Sequence, residues 1–105
     1  MLSMIGNIVW VGETDYFYRD GAKIARRKYS IRGRDPIDGA ITFAVNSAER
    51  IKEFDIKRGD LMTVTLKFDI YSYNDTMVNE ITCVSVSHHR DIYYRPVNEI
   101  ENNKQ

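Results

Sequence analysis

The sequence is poor in cysteine and contains no long apolar run. Its 105 residues include one cysteine, Cys83, which excludes a disulfide within the chain. A single thiol is typical of a reducing compartment, and we expect a cytoplasmic location. No apolar stretch approaches the roughly 20 residues that cross a bilayer, so no membrane partner is expected. The N-terminal segment lacks the basic start and the long apolar centre of a signal peptide, so no secretory leader is expected either.

Catalytic and metal-binding motifs are also missing from the sequence. The pair His88-His89 has no cysteine at the spacing of a metal site, and Asp91 alone does not complete one. We expect the two histidines to form an exposed polar strand end. Cys83 lies in a segment that we expect to be buried, where a thiol is unreactive. No glycine-rich phosphate loop or nucleophile elbow is present. The sequence therefore predicts a protein without metal or cofactor that is not an enzyme.

Basic residues are concentrated in one segment, although the net charge is formally zero. Seven of the 15 basic residues lie between Arg19 and Arg34, where Asp20 is the one acid, so the segment carries a net charge of +6. Such an uneven distribution is typical of proteins that bind nucleic acid. The competing interpretation is a solvated edge strand whose charges prevent edge-to-edge association.

Runs of β-branched and aromatic residues predict five β-strands. They cover residues 4–12, 22–32, 40–46, 61–70 and 78–87. In the second strand one face is mainly apolar and carries Ala25, Arg27, Tyr29 and Ile31. The opposite face is polar and carries Arg26, Lys28, Ser30 and Arg32. In the fifth strand the apolar positions change phase, which predicts a β-bulge.

Polar and glycine-containing segments predict the connections between these strands. A loop is expected at residues 13–21, and it ends in the strong turn signal Asp20-Gly21. This loop contains Tyr16, Phe17 and Tyr18. Further loops are expected at residues 33–39 and 71–77.

One short helix is predicted at residues 47–54, with Asn46 as its N-cap and Glu49 as the reciprocal partner. The order is then three strands, a helix and two strands, which is the order of the oligonucleotide-binding (OB) fold. We therefore predict an all-β protein with one short helix, a five-stranded Greek-key OB-fold barrel. The domain is expected at residues 1–87, followed by a polar tail at 88–105. An open sandwich or another small barrel is the alternative architecture.

Four segments follow a pattern shared by many OB domains. They are residues 4–12, an apolar strand closed by glycine; residues 21–31; residues 56–64, where a glycine and a polar residue lead from the helix into the next strand; and residues 79–86. On these segments the chain resembles the bacterial single-stranded DNA-binding protein superfamily. The resemblance implies an OB fold that binds single-stranded DNA without sequence preference, with RNA the weaker candidate partner.

In an OB fold the ligand groove is formed by strands two and three and by the loops after strands one and four. Single-stranded nucleic acid needs cations for its phosphates and flat side chains on which its bases stack. The candidate nucleic-acid-binding residues in these places are Tyr16, Tyr18, Arg26, Lys28, Tyr29, Arg32, Arg34, Tyr71 and Tyr73. Phe17 and Phe43 are expected to pack in the core instead. The alternative function is an OB module for protein interaction or assembly that binds no nucleic acid.

Self-association is expected from the first strand. Its two faces are both apolar, and they carry Ile8 with Trp10 and Val9 with Val11. A barrel buries one face only, and an exposed apolar patch favours association. One OB domain also covers only about 4–16 nucleotides, so a tight grip favours several linked sites. We therefore expect a homodimer or homotetramer, the alternative being cover of the patch by Tyr93 and Tyr94 of the same chain.

Overall fold

The computed structural model of the chain describes residues 1–34 and 39–89. Within these ranges the chain forms six strands and one helix: β1 (Leu2–Val11), β2 (Asp15–Arg19), β3 (Ala22–Gly33), β4 (Ala40–Asn46), α1 (Ala48–Phe54), β5 (Leu61–Tyr73) and β6 (Thr76–His88). No helix in this part of the chain is both long and apolar enough to span a membrane. The centre of the predicted 33–39 loop and residues 90–105 of the predicted tail lie outside the described residues.

Five of the strands close into a barrel. Strand β1 pairs antiparallel with both β3 and β5, while β3 pairs with β4 and β5 pairs with β6. The ring is closed by a parallel bridge between Ala44 of β4 and Thr82 of β6. Helix α1 follows the third barrel strand and precedes the fourth, as in the OB fold. The predicted fold class is therefore confirmed.

The barrel interior is filled by alternate side chains of its strands. The fully buried side chains include Ile8, Tyr29, Ile31, Phe43, Val45, Met62, Val64, Leu66 and Cys83. At the centre Tyr29 and Phe43 stack with their ring centroids 5.6 Å apart. Each buried aliphatic or aromatic side chain contributes about 1.5–3 kcal/mol relative to an exposed one. The predicted apolar face of the second barrel strand and the predicted core position of Phe43 are thus correct.

Strand β2 was expected to be a loop, and that prediction is wrong. Asp20 and Gly21 both have positive φ, 52° and 81°, so they form the two-residue turn that joins a tight hairpin. The turn returns the chain antiparallel to itself, and Asp15–Arg19 pair with the first residues of β3. Three consecutive aromatic residues give no alternation of apolar and polar side chains, so the sequence pattern does not predict this strand.

Helix α1 begins one residue later than predicted. Ser47, not Asn46, is the N-cap, and its hydroxyl accepts a hydrogen bond from the backbone N–H of Arg50 at 3.2 Å. The side chain of Asn46 instead accepts a hydrogen bond from Nε of Arg26 at 3.1 Å. Asn46 is therefore still paired across the sheet, and the helix starts only after that pairing ends.

Strands β5 and β6 extend beyond the barrel as a two-stranded hairpin, residues 67–82, that we call the arm. Its turn is Asn74-Asp75, with φ of 50° and 63°, so the predicted loop at 71–77 is mostly strand. Leu66 is the last buried residue of β5, and every residue from 67 to 73 is exposed. Phe68 and Ile70 continue the alternation of the barrel strand, yet they lie outside the core because the barrel has ended.

Two β-bulges set which side chains point inward. In β6, Thr65 pairs with Ser85 and Leu66 with Cys83, so Val84 is the extra residue and the predicted bulge is confirmed. In β1, the register shifts between Ile8 and Trp10, which leaves Val9 as a second, unpredicted bulge. Ile8 therefore points inward and Trp10 outward, and the expectation that they share one face is wrong.

Candidate nucleic-acid interface

The outer surface of β3 and β4 is the predicted binding face, and we call it the cationic face. Along β3 it presents Arg26, Lys28, Ser30 and Arg32, because these residues alternate with the buried ones. Their cross-strand partners on β4 are uncharged and mostly small, and they are Asn46, Ala44, Thr42 and Ala40. Small neighbours leave room for a polymer to lie across the strands beside the cations.

Arg26 is held in place from three sides. Its Nε donates to the side chain of Asn46 on β4 at 3.1 Å, and its Nη2 lies 3.3 Å from a carboxylate oxygen of Glu80 on the arm. Its guanidinium also lies over the ring of Phe17 on β2, 4.2 Å from the ring centroid. Arg26 therefore joins the hairpin, the barrel and the arm at one point.

Lys28 and Arg32 are exposed cations on the same face. Among residues 1–34 and 39–89 neither side chain lies within 4.0 Å of a carboxylate oxygen. Arg34, the next position of the same parity, is also exposed. Unpaired, solvated cations attract phosphates without first having to give up another partner. The structure thus brings together the basic residues predicted from the sequence.

Trp10 is an exposed aromatic residue of this face that the alternation along β1 does not predict. It pairs with Ser30 across the sheet, and the hydroxyl of Ser30 lies 2.8 Å from that of Thr42 on the next strand. The indole is 48% exposed. The signal that would have placed it outward is the Val9 bulge, which strand periodicity alone does not reveal.

Gly12 allows the Trp10 ring to lie where it does. A Cβ atom at this position would lie 2.7 Å from Cη2 of Trp10 and 3.2 Å from the carbonyl oxygen of Lys28. The backbone N–H of Gly12 donates to that carbonyl at 2.8 Å. The glycine that closes β1 thus lets the indole pack on the backbone beside the cationic face.

The aromatic residues of the β2 hairpin are divided between its two faces. Phe17 pairs with Ile24 and lies on the Arg26 side, half-buried beneath the guanidinium. Tyr16 and Tyr18 alternate with Phe17 and point to the other side, where the ammonium of Lys23 lies 4.6 Å from the Tyr16 ring centroid. Phe17, which is expected in the core, therefore faces the predicted groove. Tyr16 and Tyr18, which are expected in the groove, face away from it.

A cleft of about 240 Å³ separates the cationic face from the arm. On the barrel side it is lined by Arg26, Lys28, Thr42 and Ala44, and on the arm side by Tyr71, Val78 and Glu80. Tyr71 is 45% exposed, and Tyr73, two residues along the same face of the arm, is 65% exposed. The fold therefore brings both predicted tyrosines to the arm surface that turns toward the cations.

Tyr29 is not part of this surface, which corrects the prediction for that residue. Its side chain is 1% exposed and lies inside the barrel against Phe43. Burial raises the pKa of the Tyr29 hydroxyl, an effect that the nearby charge of Arg27 partly opposes. The odd-numbered positions of β3 point inward, so no base can stack on Tyr29.

The histidines and the cysteine serve structural contacts. His88 is half-buried, and its Nε2 donates to the carbonyl oxygen of Phe54 at 2.7 Å, while Nε2 of His89 lies 2.8 Å from the Thr63 hydroxyl. Both histidines are half-buried, so the expectation of an exposed polar strand end is wrong. Burial raises the pKa of the Cys83 thiol to about 11, so it stays protonated and unreactive at neutral pH.

Comparison with known proteins places this fold among solved structures. No protein-family model matches the sequence, and no curated protein matches it. The structure is similar to that of the mitochondrial single-stranded DNA-binding protein Rim1 of S. cerevisiae, with a TM-score of 0.59 and 15% identity over 84% of this chain and 92% of that one. A small single-stranded DNA-binding protein of Streptomyces coelicolor matches with a TM-score of 0.43 and 13% identity, over 87% and 94% of the two chains. The chain therefore has the OB fold in the form that the yeast protein displays.

Proposed function

We propose that the protein binds single-stranded DNA, without sequence preference, across the cationic face and the cleft beside the arm. The observation that carries the proposal is the continuity of this surface: exposed cations of β3 lie between the exposed indole of Trp10 on β1 and the exposed tyrosines of the arm. The yeast protein with this fold is by name a single-stranded DNA-binding protein, which supports the same choice of ligand.

Each class of side chain has a distinct task in this proposal. Lys28, Arg32 and Arg34 attract phosphates, whose binding releases counterions and makes the affinity depend on salt. Trp10, Tyr71 and Tyr73 provide flat surfaces on which bases stack, each worth about 1–3 kcal/mol. Neither task depends on base identity, so the binding tolerates any sequence. Tyr16 and Tyr18 lie on the far side of the hairpin and are not needed for this path.

A fluorescence titration tests the proposal directly. Trp10 is the only tryptophan, so its emission reports on the proposed surface without any label. A mixed-sequence single-stranded 20-mer should quench this emission at 50 mM salt, and 500 mM salt should reverse the quenching. A matched duplex should bind more weakly, because its bases are unavailable for stacking. A titration with a single-stranded RNA 20-mer shows whether the protein binds DNA more tightly than RNA. Unchanged Trp10 emission together with no gel shift at 50 mM salt would refute the proposal.

An interaction module without nucleic acid is the second candidate function, and the arm favours it. Phe68, Ile70 and Met77 lie on the face of the arm opposite to that of Tyr71 and Glu80, and they are 49%, 61% and 62% exposed. Such neighbouring apolar side chains are typical of a surface that contacts another protein. The oligonucleotide titration separates the two candidates, since this apolar face contains no cation that would make binding sensitive to salt.

A further inference from the structure

Glu80 is an acidic residue that lines the cleft beside two basic residues of the cationic face, Arg26 and Lys28. Its carboxylate oxygen lies 3.3 Å from Nη2 of Arg26, and the two side chains are 21% and 28% exposed. Directly across the arm, Asp69 pairs with Glu80 in register and shares its face. Asp69 lies 3.5 Å from the ammonium of Lys67. Two carboxylates that face each other across strands repel, so each is stabilised by a cation of its own.

The two acids differ in what their partners connect. The Asp69–Lys67 ion pair joins two residues of the same strand, β5. The Arg26–Glu80 ion pair joins the arm to β3 in the barrel. The arm is also attached to β4 through the bridge between Ala44 and Thr82, close to the bulge at its base. The ion pair thus holds the arm over the cationic face at a point farther from the base.

We propose that the Arg26–Glu80 ion pair is a latch, and that a phosphate of the bound strand displaces Glu80 from Arg26 as the arm opens. This inference rests on the proposed function. A guanidinium binds phosphate and carboxylate with the same donors and in similar geometry, so the two anions compete for one site. A partly exposed ion pair contributes little free energy, so a polyanion held by the neighbouring cations replaces it at small cost.

The latch makes Glu80 a residue that limits affinity. Part of the binding free energy is used to separate Glu80 from Arg26, and removing the carboxylate charge restores that part to binding. Exposed ion pairs are worth at most about a few-fold in an equilibrium constant, so Glu80→Gln should tighten oligonucleotide binding about two- to fivefold. Glutamine keeps the length of the side chain and its place in the strand.

Asp69→Asn is the matched control. It removes one negative charge from the same face of the arm, at the directly opposite position, without touching Arg26. Fluorescence anisotropy of a labelled single-stranded 20-mer at 50 mM salt compares the two variants with the unmodified protein. Glu80→Gln should bind more tightly than Asp69→Asn by at least twofold. If both variants bind the oligonucleotide more tightly by the same factor, Glu80 acts only through the negative charge of the arm as a whole, and the latch is overturned.

Hydrogen exchange in the free proteins gives an independent readout. In Glu80→Gln the amides of β6 in the arm should exchange faster than in Asp69→Asn, because the distal attachment is weakened. Unaltered exchange in Glu80→Gln would also overturn the latch. Thermal melts confirm that both variants fold.

The latch and the proposed function fail in different ways. If the unmodified protein binds the oligonucleotide and Glu80→Gln binds equally well, the latch is refuted and the proposed function stands. If neither protein binds at 50 mM salt, the proposed function fails and the latch fails with it.

Discussion

Replacing Lys28 and Arg32 together with glutamine should weaken oligonucleotide binding and flatten its salt dependence. Both side chains are exposed, and both project from the outer face of β3, where Lys28 and Arg32 are four residues apart. Arg26 is retained in this variant, because it is bonded to Asn46 and Glu80 and its loss would disturb the barrel and the arm. Exposed substitutions of this kind change stability by no more than about 0.5 kcal/mol.

The expected magnitude follows from counterion release. Each phosphate neutralised on a single strand contributes about 0.7 to the slope of log affinity against log salt. Two lost phosphate contacts therefore reduce the slope by about 1.4. Between 50 and 200 mM salt, the variant should then lose about sevenfold less affinity than the unmodified protein loses. If the variant and the unmodified protein bind equally at 1 M salt, this difference in slope makes the variant bind about 25-fold more weakly at 0.1 M salt.

Trp10 fluorescence titrations at four salt concentrations measure the slope. The matched control is Lys57→Gln with Arg58→Gln, which removes the same charge from exposed residues of the α1–β5 connection, away from the cationic face. The control should keep the slope within about 0.3 of the unmodified protein. If the β3 variant folds and its slope equals that of the control, the phosphates do not bind along β3 and the proposed path is wrong.

Three further predictions concern stacking, burial and packing, and a fourth concerns assembly. Tyr71→Ala should weaken binding by about 5- to 150-fold, whereas Tyr18→Ala, which removes the same ring from the far side of the hairpin, should not; equal losses in the two titrations would contradict the division of the faces. Because burial raises the pKa of Cys83 from 9.0 to about 11, the unfolded thiol ionises first and stability should fall as the pH rises between these values; urea melts should show a smaller fall in Cys83→Ala. Gly6→Ala should cost about 3 kcal/mol or more in a denaturant melt, since a Cβ would lie 2.1 Å from the carbonyl oxygen of Arg32; an unchanged midpoint would contradict this close approach of β1 and β3. Sedimentation equilibrium at micromolar concentration should show a dimer or tetramer, and a single monomeric species would end the expectation of self-association.

Alternation of apolar side chains predicted the barrel because each barrel strand has one face inside. The faces of β3 were assigned correctly from this rule, and the change of phase near Val84 correctly predicted a bulge. The same rule failed where the surroundings of a strand change along its length. Phe68 and Ile70 continue the period of Val64 and Leu66, and nothing in the period marks where the barrel ends.

The candidate site was only partly predictable for related reasons. The cations of β3 could be placed because charge and alternation agree there. An aromatic residue, however, fits equally well in the barrel interior and at a base-stacking position on the surface. Tyr29 is buried because its inward position meets Phe43 across the sheet, whereas Trp10 is exposed because one extra residue turns it outward. Such outcomes depend on register between strands distant in sequence, which a single strand's pattern does not contain.

Strand β3 carries the core and the binding surface on alternating residues of one continuous segment, and this has a genetic consequence. Tyr29 and Ile31 hold the barrel together, while Lys28 and Arg32 lie on the outside. A saturation library across the strand should therefore separate by the parity of the position: changes at the inward positions lower protein abundance, and changes at the outward positions lower affinity in protein that remains abundant. Insertion of one residue at Tyr29 that is not taken up by a β-bulge would shift the following positions by one and carry Ile31 to the outer face. The core and the ligand surface would then be lost together, whereas a substitution changes one of them at a time.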